Sequence, residues 1–135
     1  MLRSYRSLRV VLATVGSRGD VQPMLALAQA LRARGHVPLV AAPPNFEGWV
    51  RRLGFDFTPL GIDVQVYLAE HNAVLTGNPV KLLQGMGRFF AEQLPLQMAQ
   101  LEPACRGADA ILSAGLAFTA PSVAEHLRLP LLCVL

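Results

Sequence analysis

Apolar positions along the chain occur in two kinds of run, and the two kinds alternate. The first kind is short and continuous, which is typical of strands that are buried on both faces of a parallel sheet. The second kind is longer, and its apolar residues recur every three or four positions, as they do on one face of a helix. The short runs predict strands over residues 8–15, 37–42, 55–60, 109–114 and 130–135.

The longer runs predict helices over residues 21–34, 45–53, 78–106 and 121–127, whereas residues 61–77 are predicted to be mostly loop. Asp20 is placed to cap the first of these helices, and Pro23 suits its first turn. Gly35 suits a left-handed residue at its end. Pro95 predicts a bend in the long helix.

The alternation of strand and helix predicts an α/β fold, a doubly wound Rossmann-like parallel sheet with the strand order 3-2-1-4-5. This order reverses between strands one and four. The loops that follow those two strands, residues 16–20 and 115–120, are therefore expected to flank one crevice. Ligands of open parallel sheets bind in such a crevice, beyond the carboxyl ends of the strands.

Composition bounds the class of protein. The 135 residues are 53% hydrophobic, which is enough for one domain with a real core. No run reaches the roughly 18 uninterrupted apolar residues of a membrane span, and the N-terminal arginines run straight into a strand without the layout of a signal peptide. We therefore expect a cytoplasmic protein, or one at the periphery of a membrane.

The distribution of charge and the spacing of potential metal ligands argue against two further classes of protein, those that bind nucleic acids and those that bind metals. The net charge is +3, and its arginines are scattered instead of forming the basic stripe that nucleic-acid binding requires. Cys105 and Cys133 lack metal-ligand spacing and are expected to be reduced thiols. The histidines His36, His71 and His126 are isolated, so no metal site is expected.

The common nucleotide-binding motifs do not fit the first strand–helix turn. This turn has Gly16 and Gly19 but not the three glycines of a G-x-G-x-x-G fingerprint, and strand two ends without an acid for the ribose, so an NAD enzyme is disfavoured. The sole lysine, Lys81, lies far from the turn, which excludes a P-loop. No G-x-S-x-G hydrolase elbow occurs either.

The turn Gly16-Ser17-Arg18-Gly19-Asp20 can nevertheless bind an anion. Its glycines allow backbone to approach a ligand closely, and the amides at the start of the helix form a modest anion site to which Ser17 adds a hydroxyl. Arg18 could meet a phosphate or stay in solvent. These groups suit a diphosphate.

Asp20 is the only acid that this topology places near the crevice. A carboxylate there could accept the proton of an incoming hydroxyl. The positive end of the helix favours the ionised carboxylate and so makes it a weak base. The proton would therefore be transferred late in the reaction, once the attacking oxygen has lost electron density. The alternative is a plain helix cap, and both roles can hold together.

Residues 67–90 carry more large apolar side chains than a solvated loop needs. They could line a pocket for a lipophilic ligand, although those on the long helix could instead belong to the core. These side chains are Tyr67, Leu68, Val74, Leu75, Met86, Phe89 and Phe90.

The segment GSRGDVQPMLALAQALRARGH, residues 16–36, resembles the N-terminal half of GT-B glycosyltransferases, above all the sterol and glycopeptide glucosyltransferases and the glycolipid rhamnosyltransferases. The likeness continues through residues 37–42, 45–46 and 54–61, and more loosely through 109–112 and 121–130. It implies transfer of a sugar from a nucleotide diphosphate sugar to a hydroxyl of a lipophilic or natural-product acceptor, with inversion at the anomeric carbon.

The resemblance also implies roles for individual residues. In similar enzymes the acid of the S-R-G-D turn is the base for the acceptor hydroxyl, a role that falls to Asp20, and the position of Ser17 lies near the donor phosphates. The N-terminal half holds the small-molecule acceptor through the region that corresponds to residues 64–90. No cofactor or metal is expected, because helix ends and side chains meet the diphosphate.

The family's donor site lies mostly in a second Rossmann-like domain, which has no counterpart in these 135 residues. We therefore expect one apparently truncated N-terminal domain, inactive unless a C-terminal domain or a partner chain binds the nucleotide sugar. Two alternatives remain. One is a binding or assembly module, for example a homodimer that covers exposed apolar surface near strand five. The other is a nucleotide-binding enzyme of another class.

Overall fold

The structure is a computed structural model that describes residues 6–63, 66 and 79–134, with the backbone alone at Leu82 and Met86. Within these residues five parallel strands form one sheet in the order β3-β2-β1-β4-β5. The strands are β1 (Arg9–Val15), β2 (Val37–Ala42), β3 (Asp56–Pro59), β4 (Ala110–Gly115) and β5 (Leu131–Cys133). The predicted fold class and strand order are confirmed.

Helices connect the strands wherever the described residues cover the connection. They are α1 (Arg18–Ala33), α2 (Glu47–Arg52) after a 3-10 turn at Pro44–Phe46, α3 (Pro79–Cys105) and α4 (Ala120–Leu127). The α3 helix continues through Pro95 and Pro103. Most bounds lie within two residues of those predicted.

The start of α1 was predicted wrongly. The helix begins at Arg18, three residues early, and its N-cap is Ser17 with extended backbone. Asp20 therefore lies inside the first turn and does not precede it. Pro23 falls in the second turn, where it lacks the N–H that would bond to the Gly19 carbonyl.

Each face of the sheet is covered by its own helices. The side that faces α1 and α2 buries Leu12, Met24, Val40 and Val50, and the side that faces α3 and α4 buries Val15, Leu101, Ile111 and Val123. Burial on both faces explains why the strands are continuously apolar. Polar groups are therefore expected to gather at the ends of the strands.

The pairing of β1 with β4 sets the position of the crevice. Val15 lies opposite Gly115 at the carboxyl ends of these two central strands. The turns that leave β1 and β4 consequently start side by side, as the reversal of strand order predicts. At the far edge, Leu132 of β5 is 65% exposed.

Candidate functional site

The turn after β1 is built around Gly16, whose φ of 152° is a conformation that residues with a side chain rarely adopt. A Cβ atom at this position would overlap Oδ2 of Asp20. Glycine is therefore required here for two reasons, the backbone angle and the space that the carboxylate occupies.

The Asp20 carboxylate folds back over the start of its own helix. Its Oδ2 accepts a hydrogen bond of 2.8 Å from the backbone N–H of Ser17, and the Ser17 hydroxyl donates to the same oxygen at 3.2 Å. Asp20 thus takes the place that glutamate or glutamine has in a capping box. This confirms that Asp20 contributes to the helix cap, although from a different position than the sequence suggested.

The second carboxylate oxygen faces β4. A Cβ atom at Gly115 would lie 3.5 Å from Oδ1 of Asp20, and Gly115 itself has φ 61°. Among the described residues, only Ser17 donates hydrogen bonds to this carboxylate, and both go to Oδ2. One oxygen of a half-buried carboxylate therefore remains available at the junction of β1 and β4.

Arg18 has an aromatic partner across the turn. Its guanidinium carbon lies 4.6 Å from the ring centroid of Trp49 on α2, and Phe46 packs against Trp49 with 6.2 Å between ring centroids. Arg18 remains exposed, as do Ser17 and Gly19. The exposed positive charge is thus held on an aromatic surface at the entrance to the helix.

Two glutamines of α3 attach the neighbouring loops to this end of the sheet. Gln97 is fully buried; its amide N–H donates to the Leu116 carbonyl at 3.1 Å, and its oxygen accepts from the Thr119 hydroxyl at 3.4 Å. Gln100 accepts a 2.7 Å hydrogen bond from the N–H of Gly61, after β3. These bonds fix the loops that follow β3 and β4.

The predicted acceptor pocket is described only in part. Tyr67 and Leu68 lie outside the described residues, as does the side chain of Met86. Phe89 and Phe90 are half-buried, with 6.0 Å between their ring centroids.

Phe90 also contacts an aromatic residue that sequence reasoning did not select. Its ring centroid lies 4.8 Å from that of Phe118, in the loop after β4. The aromatic residues of α3 thus reach the loop that follows Gly115. Nothing in the sequence around Phe118 indicated this contact, because its partner Phe90 lies 28 positions earlier.

Cys105, the last residue of α3, lies away from the turn. Burial, with a smaller effect of Glu102, raises the pKa of Cys105 to about 12, so this thiol stays protonated. The part of the chain that the structure describes contains no group of three or more metal-ligating side chains. It also contains no helix that is long and apolar enough to cross a membrane.

Solved structures that resemble this fold include glycosyltransferases. CalG4, the calicheamicin glycosyltransferase, aligns with a TM-score of 0.79 at 18% identity, over 96% of this chain and 32% of that one. SsfS6 from Streptomyces sp. SF2575 aligns with a TM-score of 0.68 at 26% identity, over 93% of this chain and 38% of that one. The fold is that of a GT-B glycosyltransferase domain.

Sequence comparison identifies the family. Residues 10–134 match the glycosyltransferase family 28 N-terminal domain, and the chain belongs to this family. The sterol 3-beta-glucosyltransferase of Aspergillus clavatus is 35% identical over 126 residues, which are 92% of this chain and 9% of that protein. Glycosyltransferase GtfE of Amycolatopsis orientalis is 37% identical over 126 residues, 91% of this chain and 29% of that protein. The chain thus spans less than a third of either relative.

Proposed function

We propose that this chain is the acceptor-binding half of an inverting glycosyltransferase, which transfers a sugar from a nucleotide diphosphate sugar to a hydroxyl of a lipophilic or natural-product acceptor. The observation that carries the proposal is the Asp20 carboxylate, with Oδ2 bonded to Ser17 and Oδ1 directed towards Gly115. Family membership supports the reaction class, and the name of the Aspergillus relative supports a hydroxyl on an apolar acceptor.

In the proposed reaction the acceptor oxygen attacks the anomeric carbon of the sugar. A new carbon–oxygen bond forms while the bond to the diphosphate breaks, and the nucleotide diphosphate leaves with the electron pair. Oδ1 of Asp20 takes the hydroxyl proton. The hydrogen bonds from Ser17 hold the carboxylate in place, so that it need not reorient when the hydroxyl arrives.

The residues of the turn serve the donor. Gly16, Ser17, Arg18 and Gly19 lie at the N-terminus of α1, where the positive end of the helix dipole favours a phosphate. The exposed guanidinium of Arg18 adds a full charge. In this proposal the nucleotide of the donor binds to a second domain or to a partner chain.

Replacement of Asp20 tests the catalytic proposal. Asp20→Asn keeps the shape of the side chain but removes its ability to take a proton, so turnover should fall by about a hundredfold or more, while acceptor affinity stays within about twofold. The assay uses the chain together with its donor-binding domain. Asp56→Asn, an exposed acid at the start of β3, is the control and should retain full turnover. Normal turnover in Asp20→Asn would remove Asp20 from the mechanism.

A second candidate function is a binding or assembly module that pairs as a homodimer. Leu132, 65% exposed on the edge strand β5, is the observation that favours it. Sedimentation equilibrium distinguishes the two cases: a dimer that Leu132→Lys converts to monomer supports the module, and a monomeric wild type contradicts it.

A further inference from the structure

Residues 6–8 form an N-terminal arm that precedes β1 and lies along the turn between α1 and β2. The Ser7 hydroxyl donates a 2.7 Å hydrogen bond to the Gly35 carbonyl, and the Val37 N–H donates a 2.8 Å bond to the Leu8 carbonyl. Partners that are far away in sequence therefore hold the arm in place.

A third hydrogen bond of the arm depends on the protonation of a histidine. The Leu8 N–H donates to Nδ1 of His36 at 3.1 Å. A neutral imidazole has one acceptor nitrogen and one N–H, whereas both nitrogens of an imidazolium carry a hydrogen. Nδ1 can accept this bond only while the ring is neutral with its proton on Nε2. Protonation would make Nδ1 a donor that faces another donor.

Charged groups of α1 and β3 lie around the His36 ring. Arg32 and Asp56 line a cavity of about 250 Å³ together with His36, and Arg34 ends α1. Arg32 packs on the Phe55 ring at 4.2 Å from its centroid and opposes a charged imidazole. Asp56 offers an imidazolium a carboxylate partner. Carboxylates and guanidinium groups ordinarily titrate outside the range of about pH 5–8, in which histidine changes its charge.

The next anchor along the chain is insensitive to pH in that range. Asp109 pairs with the Arg6 guanidinium and accepts a 2.8 Å hydrogen bond from the Arg9 N–H. The Arg9 bond, followed by the Arg6 charge, lowers the pKa of Asp109 below 3.8. This carboxylate therefore stays ionised while a histidine titrates, and it keeps the start of β1 in place.

We propose that His36 and the N-terminal arm form a pH-dependent switch, in which neutral His36 holds Leu8 and a proton taken up from solvent releases it. The Leu8 side chain packs against the core between the sheet and α1, so its release uncovers apolar surface at the amino ends of the strands. Val37, at the start of β2, is already 48% exposed there. The switch lies at the opposite edge of the sheet from Asp20, so it does not rest on the proposed reaction.

Hydrogen exchange of the backbone amides, followed by NMR, measures the state of the switch. The 135-residue chain is compared at about pH 7.5 and about pH 5.5, with each rate corrected for the intrinsic exchange rate at that pH. Protection of the Leu8 N–H should fall about tenfold at the lower pH, where an ordinary histidine is mostly protonated. The Arg9 N–H, bonded to Asp109, should change by less than about twofold. Constant protection of Leu8, or an equal loss at both amides, overturns the inference.

Two substitutions of His36 fix the switch in its two states. His36→Asn places an acceptor oxygen near the position of Nδ1 and cannot take a proton, so Leu8 should stay protected at both pH values. His36→Lys carries a positive charge without an acceptor, so Leu8 should be weakly protected at both. His126→Asn, an exposed histidine of α4, is the matched control and should keep the pH dependence of the wild type. A pH-dependent loss of Leu8 protection in His36→Asn would show that another group titrates and would overturn the inference.

Discussion

Gly16 and Asp20 occupy adjoining space so closely that a single methyl group at Gly16 would overlap the Asp20 carboxylate. The position also has a positive φ of 152°, so alanine would be strained even if the carboxylate moved. The end of β1, the turn after it and the Asp20 carboxylate therefore form one structural unit. A change at Gly16 should affect both folding and catalysis.

Gly16→Ala should lower the free energy of unfolding by about 1–3 kcal/mol, the usual range for strained backbone. Gly19→Ala is the control in the same turn, because Gly19 lacks a positive φ and its Cβ would come no closer than 3.6 Å to the Ser17 hydroxyl oxygen. That variant should stay within about 0.5 kcal/mol of wild type. Urea denaturation measures both. Equal stability of the two variants would show that the turn tolerates a side chain at Gly16.

Gln93 differs from its neighbour Gln97 in hydrogen bonding. Both are buried on α3, but Oε1 of Gln93 has no partner in the part of the chain that the structure describes. A buried polar atom without a partner costs about 1–3 kcal/mol. Gln93→Met should therefore raise the free energy of unfolding by about 1 kcal/mol.

Gln97→Met should have the opposite effect. It removes the bond to the Leu116 carbonyl and leaves the Thr119 hydroxyl without its acceptor. We expect a loss of about 1–3 kcal/mol. Thermal or urea unfolding of the pair tests this, and destabilisation by Gln93→Met as large as that by Gln97→Met would mean that Gln93 also has a hydrogen-bond partner.

The features that could be predicted from the sequence depend on local rules. Continuous apolar runs identified the strands, and the alternation with helices was sufficient for the strand order. The start of α1 was wrong because Ser17 and Asp20 are both good N-cap residues. The choice between them depends on the Asp20 side chain, which reaches back to the Ser17 N–H.

Partners that are distant in sequence could not be predicted in the same way. Gly115 lies beside Asp20 because β1 pairs with β4, and nothing within the turn encodes that proximity. Trp49 meets Arg18 only in the folded chain, because the two residues belong to different helices. Gly115 at the end of β4 could nevertheless have indicated a close approach of another residue to the backbone, as Gly16 does at the end of β1.

The contact between Arg18 and Trp49 predicts a donor-specific effect. The exposed Arg18 guanidinium over the half-buried Trp49 indole gains about 0.5–1 kcal/mol and keeps its position. Trp49→Leu should release Arg18 and raise KM for the nucleotide sugar, with little change in kcat. Arg18→Ala should raise KM as much or more, and the double variant should resemble Arg18→Ala alone. Additive effects would show that Trp49 does not act through Arg18.

Asp109 predicts an acid-dependent loss of stability. It accepts a 2.8 Å hydrogen bond from the Arg9 N–H and pairs with Arg6. The Arg9 bond, followed by the Arg6 charge, lowers the pKa of Asp109 below its ordinary value of 3.8. A lowered pKa in the folded state means that the carboxylate stabilises the protein above pH 3.8, and that this stabilisation is lost as the pH falls further.

Asp109→Asn should therefore lower Tm at pH 7, and its difference from wild type should shrink as the pH falls below 3.8. Thermal unfolding followed by circular dichroism, at pH 7 and at a pH below 3.8, measures this difference in Tm. Asp56→Asn is the control, since its exposed side chain accepts no hydrogen bond from the described residues and its removal should leave Tm unchanged at pH 7. A constant Tm difference for Asp109→Asn across this range would show that the ionised carboxylate does not stabilise the amino end of β1.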